Sequence, residues 1–210
     1  MGFIHNMEIS FGAKYTNTAC IKKLANKMPK NFDAAIVELD PKNIGDWYAL
    51  EVFADKLSIN NSKSNYAVKI RDSFNKVIDE NITDKYLHHY IVTSQKSDFE
   101  NLDAEQVLGS FMIADRCKLS TKRLQNLNAQ SDYVTKIRFL QGSPENYYGN
   151  PDRKYSGIGK AITDFVKNEF KKYDIVLHAD KSEIPFYLSQ GFEPSVNPSA
   201  QDMMIYYRAI

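Results

Sequence analysis

Between residues 133 and 179 a strand, a glycine turn, an amphipathic helix and a second strand follow one another, and this run restricts the fold more than any other part of the chain. Tyr133–Leu140 is dominated by β-branched and aromatic residues, the composition of a strand. Gln141–Arg153 carries Gly142, Pro144, Gly149, Asn150 and Pro151 and reads as a loop. From Gly157 to Lys172 the spacing is helical: Ile158, Ala161, Ile162, Phe165, Val166 and Phe170 share one face, and Lys160, Asp164, Lys167 and Lys171 the other. Asp174–Ala179 then reads as a buried strand. A strand that returns through a helix to a second strand makes a parallel crossover.

Upstream, Ala34–Asp40 reads as a strand closed by Pro41. A helix follows, with Trp47, Leu50, Ala54 and Leu57 on one face, and Asn60-Asn61-Ser62 breaks it. A second helix starts near Ser64, with Ala67, Ile70, Phe74, Val77 and Ile78 along a stripe. Tyr86–Ser94 and Gln106–Asp115 read as strands joined by the polar loop 96–105. Ser182–Ser189 reads as a short helix, and strands near Phe192–Val196 and Met203–Arg208 end the chain. Consecutive central strands pair antiparallel. The expected fold is therefore α/β in the α+β sense: a mixed, mostly antiparallel central sheet flanked by helices on both faces. Glu8–Tyr15 reads as a short strand or hairpin arm and Thr18–Met28 as a short helix ended by Pro29. Residues 1–32 are thus expected as an N-terminal extension packed on a domain spanning 33–210.

The chain has 210 residues, enough for one well-buried domain with an extension. Its formal net charge of +1 gives no reason to expect nucleic acid as a partner. Lys22-Lys23 and Lys171-Lys172 read as solvated helix faces. Cys20 and Cys117 are far apart, no signal peptide precedes them, and no segment has the length of a membrane span. Reduced thiols, a cytoplasmic location and no membrane partner are the corresponding expectations. A homodimer is compatible with all of this.

The turn in Lys154-Tyr155-Ser156-Gly157-Ile158-Gly159-Lys160 puts two glycines at the mouth of the 157–172 helix. Amides in the first turn of a helix have no intrahelical partner, and the macrodipole adds roughly half a positive charge there. A diphosphate set against these amides gains charge-assisted hydrogen bonds of about 1.5–3 kcal/mol each. A Cβ at Gly157 or Gly159 is expected to hold the phosphate away, and Lys154 and Lys160 to add positive charge. The turn is not a Walker loop: the earlier glycine is missing and Ala161 stands where Ser or Thr is required. Nor is it a dinucleotide fingerprint, since no third glycine follows. By itself such a turn is more often just a tight strand-to-helix connection.

Downstream, Pro185-Phe186-Tyr187 and Gln190-Gly191-Phe192 put a phenol just ahead of a glycine turn and a new strand. Together the two segments resemble the GNAT superfamily of acetyl-CoA-dependent N-acyltransferases, whose motif is Gln/Arg-x-x-Gly-x-Gly/Ala followed, one helix and one strand later, by a helix carrying Phe-Tyr and then Gly-Phe. The resemblance covers about residues 33–210. It implies acetyl-CoA as co-substrate, no metal, and direct transfer of acetyl to the amine of a small-molecule or peptide acceptor. It assigns Ser156, Gly157, Ile158, Gly159 and Lys160 to the pyrophosphate turn, with Lys154 where Gln or Arg is usual. The backbone of Phe139 and Leu140 becomes the edge for the pantetheine arm, and Tyr187 the general acid toward the leaving thiolate. Asp180 replaces a common Asn and, when ionised, donates no hydrogen bond. The loop 141–153 is longer than usual, and is either a lid or a surface insertion.

An alkyl ammonium with a pKa of about 10.4 must lose a proton before it attacks, so a base or a water chain is useful. The 133–140 strand offers no Glu or His. Glu38, Asp115, His178 and, more weakly, Glu145 remain as candidates, each also readable as a structural residue. Other constellations fail. His88 and His89 are adjacent on a strand and point to opposite faces, so they cannot share a metal. The leading expectation is an N-acetyltransferase, and the alternative is a non-catalytic acyl-CoA-binding or protein-interaction module on the same fold.

Overall fold

The computed structural model describes residues 12–25, 28–59, 67–68, 70–72, 86–197 and 200–208. In chain order its elements are β1 (Lys14–Ala25), β2 (Met28–Glu38), α1 (Ile44–Ile59), β3 (Leu87–Thr93), β4 (Val107–Lys118), α2 (Thr121–Leu127), β5 (Tyr133–Gly142), β6 (Tyr155–Ser156), α3 (Ile158–Glu169), β7 (Ile175–His178), α4 (Ile184–Ser189), β8 (Glu193–Pro194) and β9 (Met203–Tyr206). The described strands form one sheet in the order β6-β1-β2-β3-β4-β5-β7-β9-β8. Only β5 and β7 run parallel, joined through α3 as the crossover requires; the other pairings are antiparallel. The fold class is the expected one.

Alternation along the strands divides the core between the two faces. Ala34 and Ile36 of β2, Tyr90 and Val92 of β3, and Phe111 and Ile113 of β4 pack with Ile158, Ile162, Phe165 and Val166 of α3. Their neighbours Ala35, Val37, Ile91 and Met112 pack on the other face with Leu50, Phe53, Ala54 and Leu57 of α1. Leu50, Phe53 and Leu57 are 0% exposed, and burying each contributes about 1.5–3 kcal/mol. Trp47 is half-buried against the same cluster. Residues 67, 68 and 70–72 are helical, with Ala67 and Ile70 buried. The rest of the expected second stripe, Phe74, Val77 and Ile78, lies outside the described residues, as do residues 8–11 of the segment expected at 8–15.

The helix expected at 18–28 is instead strand β1, paired with β2 from Lys14↔Glu38 to Ala25↔Met28. Period two decides it: Ala19 and Ile21 are buried, while Cys20 and Lys22 between and after them are exposed. Pro29 is accommodated because β2 pairs with β3 only from Ala35 onward, leaving no ladder partner on that side for a missing N–H. Residues 14–25 and 28–32 are therefore part of the sheet.

Helix α3 stops at Glu169, three residues before the expected end. Phe170 leaves helical geometry at φ −95°, ψ 68°. The Arg208 guanidinium donates to the carbonyls of Phe170 (2.5 Å) and Val166 (3.5 Å), serving as the C-terminal cap that a glycine commonly supplies. Helix α2 was not expected; its Leu127 is 1% exposed against Met203 and Ile205 of β9.

Candidate active site

β5 and β7 pair only at Thr135↔Ile175 and Lys136↔Val176. Beyond Lys136 the strands part. Within β5, Ile137 faces Ile113 and Phe139 faces Met112, so Arg138 is an extra residue, a bulge that bends the strand. A cleft of about 410 Å³ opens where they diverge. Leu140, Gln141 and Gly142 line it from β5, Gly157 to Lys160 from the start of α3, and Ser182, Glu183, Phe186 and Tyr187 from the segment after β7.

The turn into α3 is held on its far side by the N-terminal hairpin. β6 pairs with β1 through Lys22↔Ser156 and Lys23↔Tyr155, and the Leu24 amide donates to the Lys154 carbonyl at 2.7 Å. Gly157 is the N-cap in the left-handed region, φ 83° and ψ 8°, and its carbonyl accepts the Ala161 amide at 2.9 Å. The next three amides are those a helix leaves without an intrahelical partner.

The two glycines act differently. A Cβ on Gly157 would meet nothing within 4 Å, so its backbone angle, not space, demands glycine. A Cβ on Gly159 would stand 3.1 Å from Phe186 Cζ. Its bareness lets α4 approach α3, rather than clearing room for a phosphate.

Of the residues singled out in the sequence, Leu140, Gly157, Ile158, Gly159, Lys160 and Tyr187 line the cleft together. The Phe139 side chain is buried on the α1 face of the sheet. Lys154 is exposed and Ser156 half-buried, both outside the cleft lining, while Arg153 is in it, its Nε donating to the Tyr155 carbonyl at 2.8 Å. Lys160 is ion-paired with Asp164 one turn on.

Tyr187 is 5% exposed and packs edge-on against Phe186 and Phe192, with ring centroids at 5.0 and 5.7 Å. Its hydroxyl makes no hydrogen bond to a described residue, and the residue lines the cleft. Burial, with Glu183 and Asp180 adding, pushes its pKa above the ordinary phenol range. Tyr147 also lines the cleft; its hydroxyl accepts from Gln141 Nε2 at 2.8 Å, and burial, with Glu183 and Glu145 adding, raises its pKa too.

None of the four candidate bases lines the cleft. Glu38 pairs with His88 Nδ1 at 2.7 Å, Asp115 accepts from the Thr135 hydroxyl at 2.6 Å, and His178 stands 3.4 Å from Asp202. Glu145 lies in the loop but outside the lining. The one carboxylate among the described lining residues is Glu183, the N-cap residue of α4, whose side chain makes no capping bond. The sequence signal for it was its place one helical turn before Tyr187, on the same face. Among the described residues no group of three His, Cys, Asp or Glu could hold a metal ion, and no helix is long and apolar enough to cross a membrane.

No family model matches the sequence, and no curated protein does. The chain is similar to several solved structures. One is a histone acetyltransferase HPA2 and related acetyltransferase from Corynebacterium glutamicum, 11% identical, TM-score 0.48, over 84% of this chain and 97% of that one. Another is the Bacillus subtilis N-acetyltransferase YlbP in complex with coenzyme A, 16% identical, TM-score 0.46, over 77% and 90%. A third is AtaTR bound with AcCoA, 16% identical, TM-score 0.42, over 63% and 74%.

Proposed function

We propose that the chain is an N-acetyltransferase that moves acetyl from acetyl-CoA directly to a primary amine. One observation carries the reading: the left-handed glycine turn at the head of α3 and the phenol of Tyr187 line the same cleft, beside a strand edge that β7 has left. Nothing stands within 4 Å of the Cβ position of Gly157, and the reading puts a diphosphate against the turn beside it. The amides of Ile158, Gly159 and Lys160 would hold it, with the α3 dipole and the Arg153 and Lys160 charges in support. The backbone of Phe139 and Leu140 is the edge for the pantetheine arm. What acetyl-CoA supplies when bound is a thioester, an acyl group activated toward an amine.

The chain's own groups divide the remaining work. The amine nitrogen forms its bond to the carbonyl carbon as the carbon–sulfur bond breaks, and the electron pair leaves on sulfur. The raised pKa of Tyr187 keeps its phenol protonated. Proton transfer from so weak an acid to a thiolate of pKa about 8.5 runs uphill, so Tyr187 acts by donating a hydrogen bond to the developing negative charge. The proton lost by the amine goes through water, and solvent protonates the thiolate. Glu183, the carboxylate of the cleft lining, would attract an ammonium and receive that proton. The acceptor is accordingly an amine that carries positive charge in solution.

Calorimetry with CoA, followed by acetyl-transfer assays on polyamines, amino acids, peptide amino termini and lysine side chains, tests the reading. Saturable CoA binding and turnover on at least one amine are expected. Failure to bind CoA overturns it, and binding with no turnover on any amine makes the chain a non-catalytic acyl-CoA-binding module.

A further inference from the structure

The connection between β5 and β6 is long, yet its side chains tie it down. Asn146 is 6% exposed and lines the cleft, with both ends of its amide engaged. Its Oδ1 accepts the Tyr155 backbone N–H at 2.9 Å, and its Nδ2 donates to Ser143 Oγ at 2.8 Å. The Asn146 amide in turn donates to the Ser143 carbonyl at 2.9 Å. Ser143 is 0% exposed, and its own N–H donates to the Leu108 carbonyl at 2.9 Å. A continuous chain of bonds thus runs from β4 through the end of β5 to β6, reaching the backbone two residues before Gly157. The Tyr155 ring rests on Phe32 of β2 at 5.3 Å, and its carbonyl accepts from Arg153. Asn150 closes the loop on itself by donating to the Glu145 carbonyl and accepting from the Asp152 amide.

We propose that Asn146 is a positioning residue: its amide bridges the two ends of the β5–β6 connection and fixes the turn at 155–159 in its anion-binding geometry before any ligand arrives. Closing so long a connection without the bridge costs chain entropy, and ordering the turn on binding would weaken the ligand by the same cost. The connection is therefore a brace and not a lid. The proposal deepens the donor-site reading above and rests on it for its ligand.

The test uses CoA as the probe. Asn146→Ala should raise the Kd for CoA and the KM for acetyl-CoA about tenfold, with kcat changed less than threefold, because the loss falls on donor positioning and not on the acyl-transfer step. Asn146→Asp should restore slow hydrogen exchange at Tyr155, since a carboxylate accepts from the Tyr155 N–H and from the Ser143 hydroxyl; exchange is the readout for this variant because its added negative charge repels a diphosphate. Wild-type affinity in Asn146→Ala, or no recovery in Asn146→Asp, overturns the proposal. Should Asn146→Ala fail to fold, Ser143→Ala removes one end of the bridge, and an unchanged Kd there overturns it equally. If the wild type binds no CoA, the donor reading falls and the brace is judged alone by hydrogen exchange. Faster exchange at Tyr155 and Ser156 in Asn146→Ala sustains it, and unchanged exchange overturns it.

Discussion

Gly159 and Phe186 meet where α3 and α4 converge: a Cβ built on the glycine would stand 3.1 Å from the ring's Cζ. The contact joins the two sequence motifs physically. Phe186 precedes Tyr187, so whatever moves this ring also moves the phenol that borders the cleft. The register of the turn against the tyrosine helix is set by the absence of one methyl group.

Gly159→Ala should therefore act at a distance. The Phe186 ring has to give by a few tenths of an ångström, an overpacking that costs about 1–3 kcal/mol. The displacement falls on Tyr187, so kcat should drop more than affinity for CoA. Gly157→Ala meets open space but must hold φ 83°, which costs roughly 1–2 kcal/mol for a residue with a Cβ. Relieving that strain reshapes the amide cup, so this variant should lose CoA affinity first. Denaturant titration and calorimetry on the pair distinguish the two roles. Equal effects on kcat and Kd in both variants would remove the distinction.

The Leu24 amide donates to the Lys154 carbonyl from the side of β1 that faces β6. Leu24→Pro deletes that donor and leaves the register of β1 with β2 to the remaining pairs. Loss of one net hydrogen bond, about 0.5–1.5 kcal/mol, is expected in stability. A threefold to tenfold weaker CoA affinity should accompany it, because the bond anchors the strand that carries the turn. Circular dichroism unchanged from wild type, together with calorimetry, checks this. Full CoA affinity would show that β1 does not hold the turn.

Stability against pH is shaped by two buried groups of opposite sign. Burial raises the Asp46 carboxyl from 3.8 to about 6, against the lowering effect of the Asp40 and Ala13 amides. Between those values the folded chain binds the extra proton, so stability falls as pH rises, by about 3 kcal/mol at most. Burial, with His88 and Arg138 adding, lowers His89 from 6.5 to about 4. Here the unfolded chain binds the extra proton, so stability present above 6.5 is lost as pH falls toward 4. The two contributions nearly cancel between pH 4 and 6. Relative to wild type, Asp46→Asn should make stability climb with pH across that window, and His89→Gln should make it decline. Urea midpoints at pH 4, 5, 6 and 7 give the slopes, and parallel curves for all three proteins would contradict the assignment.

What could be read in the sequence was what a short-range pattern decides. The stripe Ile158, Ala161, Ile162, Phe165 and Val166 predicted α3 because helical spacing and burial coincide there. The strands β3, β4 and β5 followed from β-branched and aromatic runs. The segment 18–28 misled because Ala19, Leu24 and Ala25 suit a helix as well as a strand; burial of Ala19 and Ile21 in the sheet, a long-range fact, settled it. Helix α2 carries only a weak signal, Leu124 and Leu127 three apart after Ser120 in a short polar segment. The cleft was half legible. Glycines and a tyrosine stand out by type, but Asn146, Arg153 and Glu183 belong to it only because β5 and β7 diverge and the connection folds back. The reason Gly159 lacks a side chain is a contact with Phe186, 27 positions away, which no local motif encodes.

Tyr187→Phe separates a proton donor from a hydrogen-bond donor. The substitution keeps the ring that packs on Phe186 and Phe192 and removes only the hydroxyl. An obligatory general acid would cost 10²–10⁴-fold in kcat on removal. A hydrogen bond to a leaving thiolate of pKa about 8.5 is worth less, so a fall in kcat of about 10- to 100-fold is expected, with KM for acetyl-CoA little changed. The pH profile adds the sharper discrimination. Burial keeps the phenol protonated well above the ordinary range, so its ionisation should place no alkaline limb on kcat below pH 10. The wild type and Tyr187→Phe should therefore trace the same pH dependence at different heights. An alkaline limb present in the wild type and missing in the variant would mean that Tyr187 gives up its proton during turnover, and that its pKa in the working enzyme is far lower than its buried position dictates.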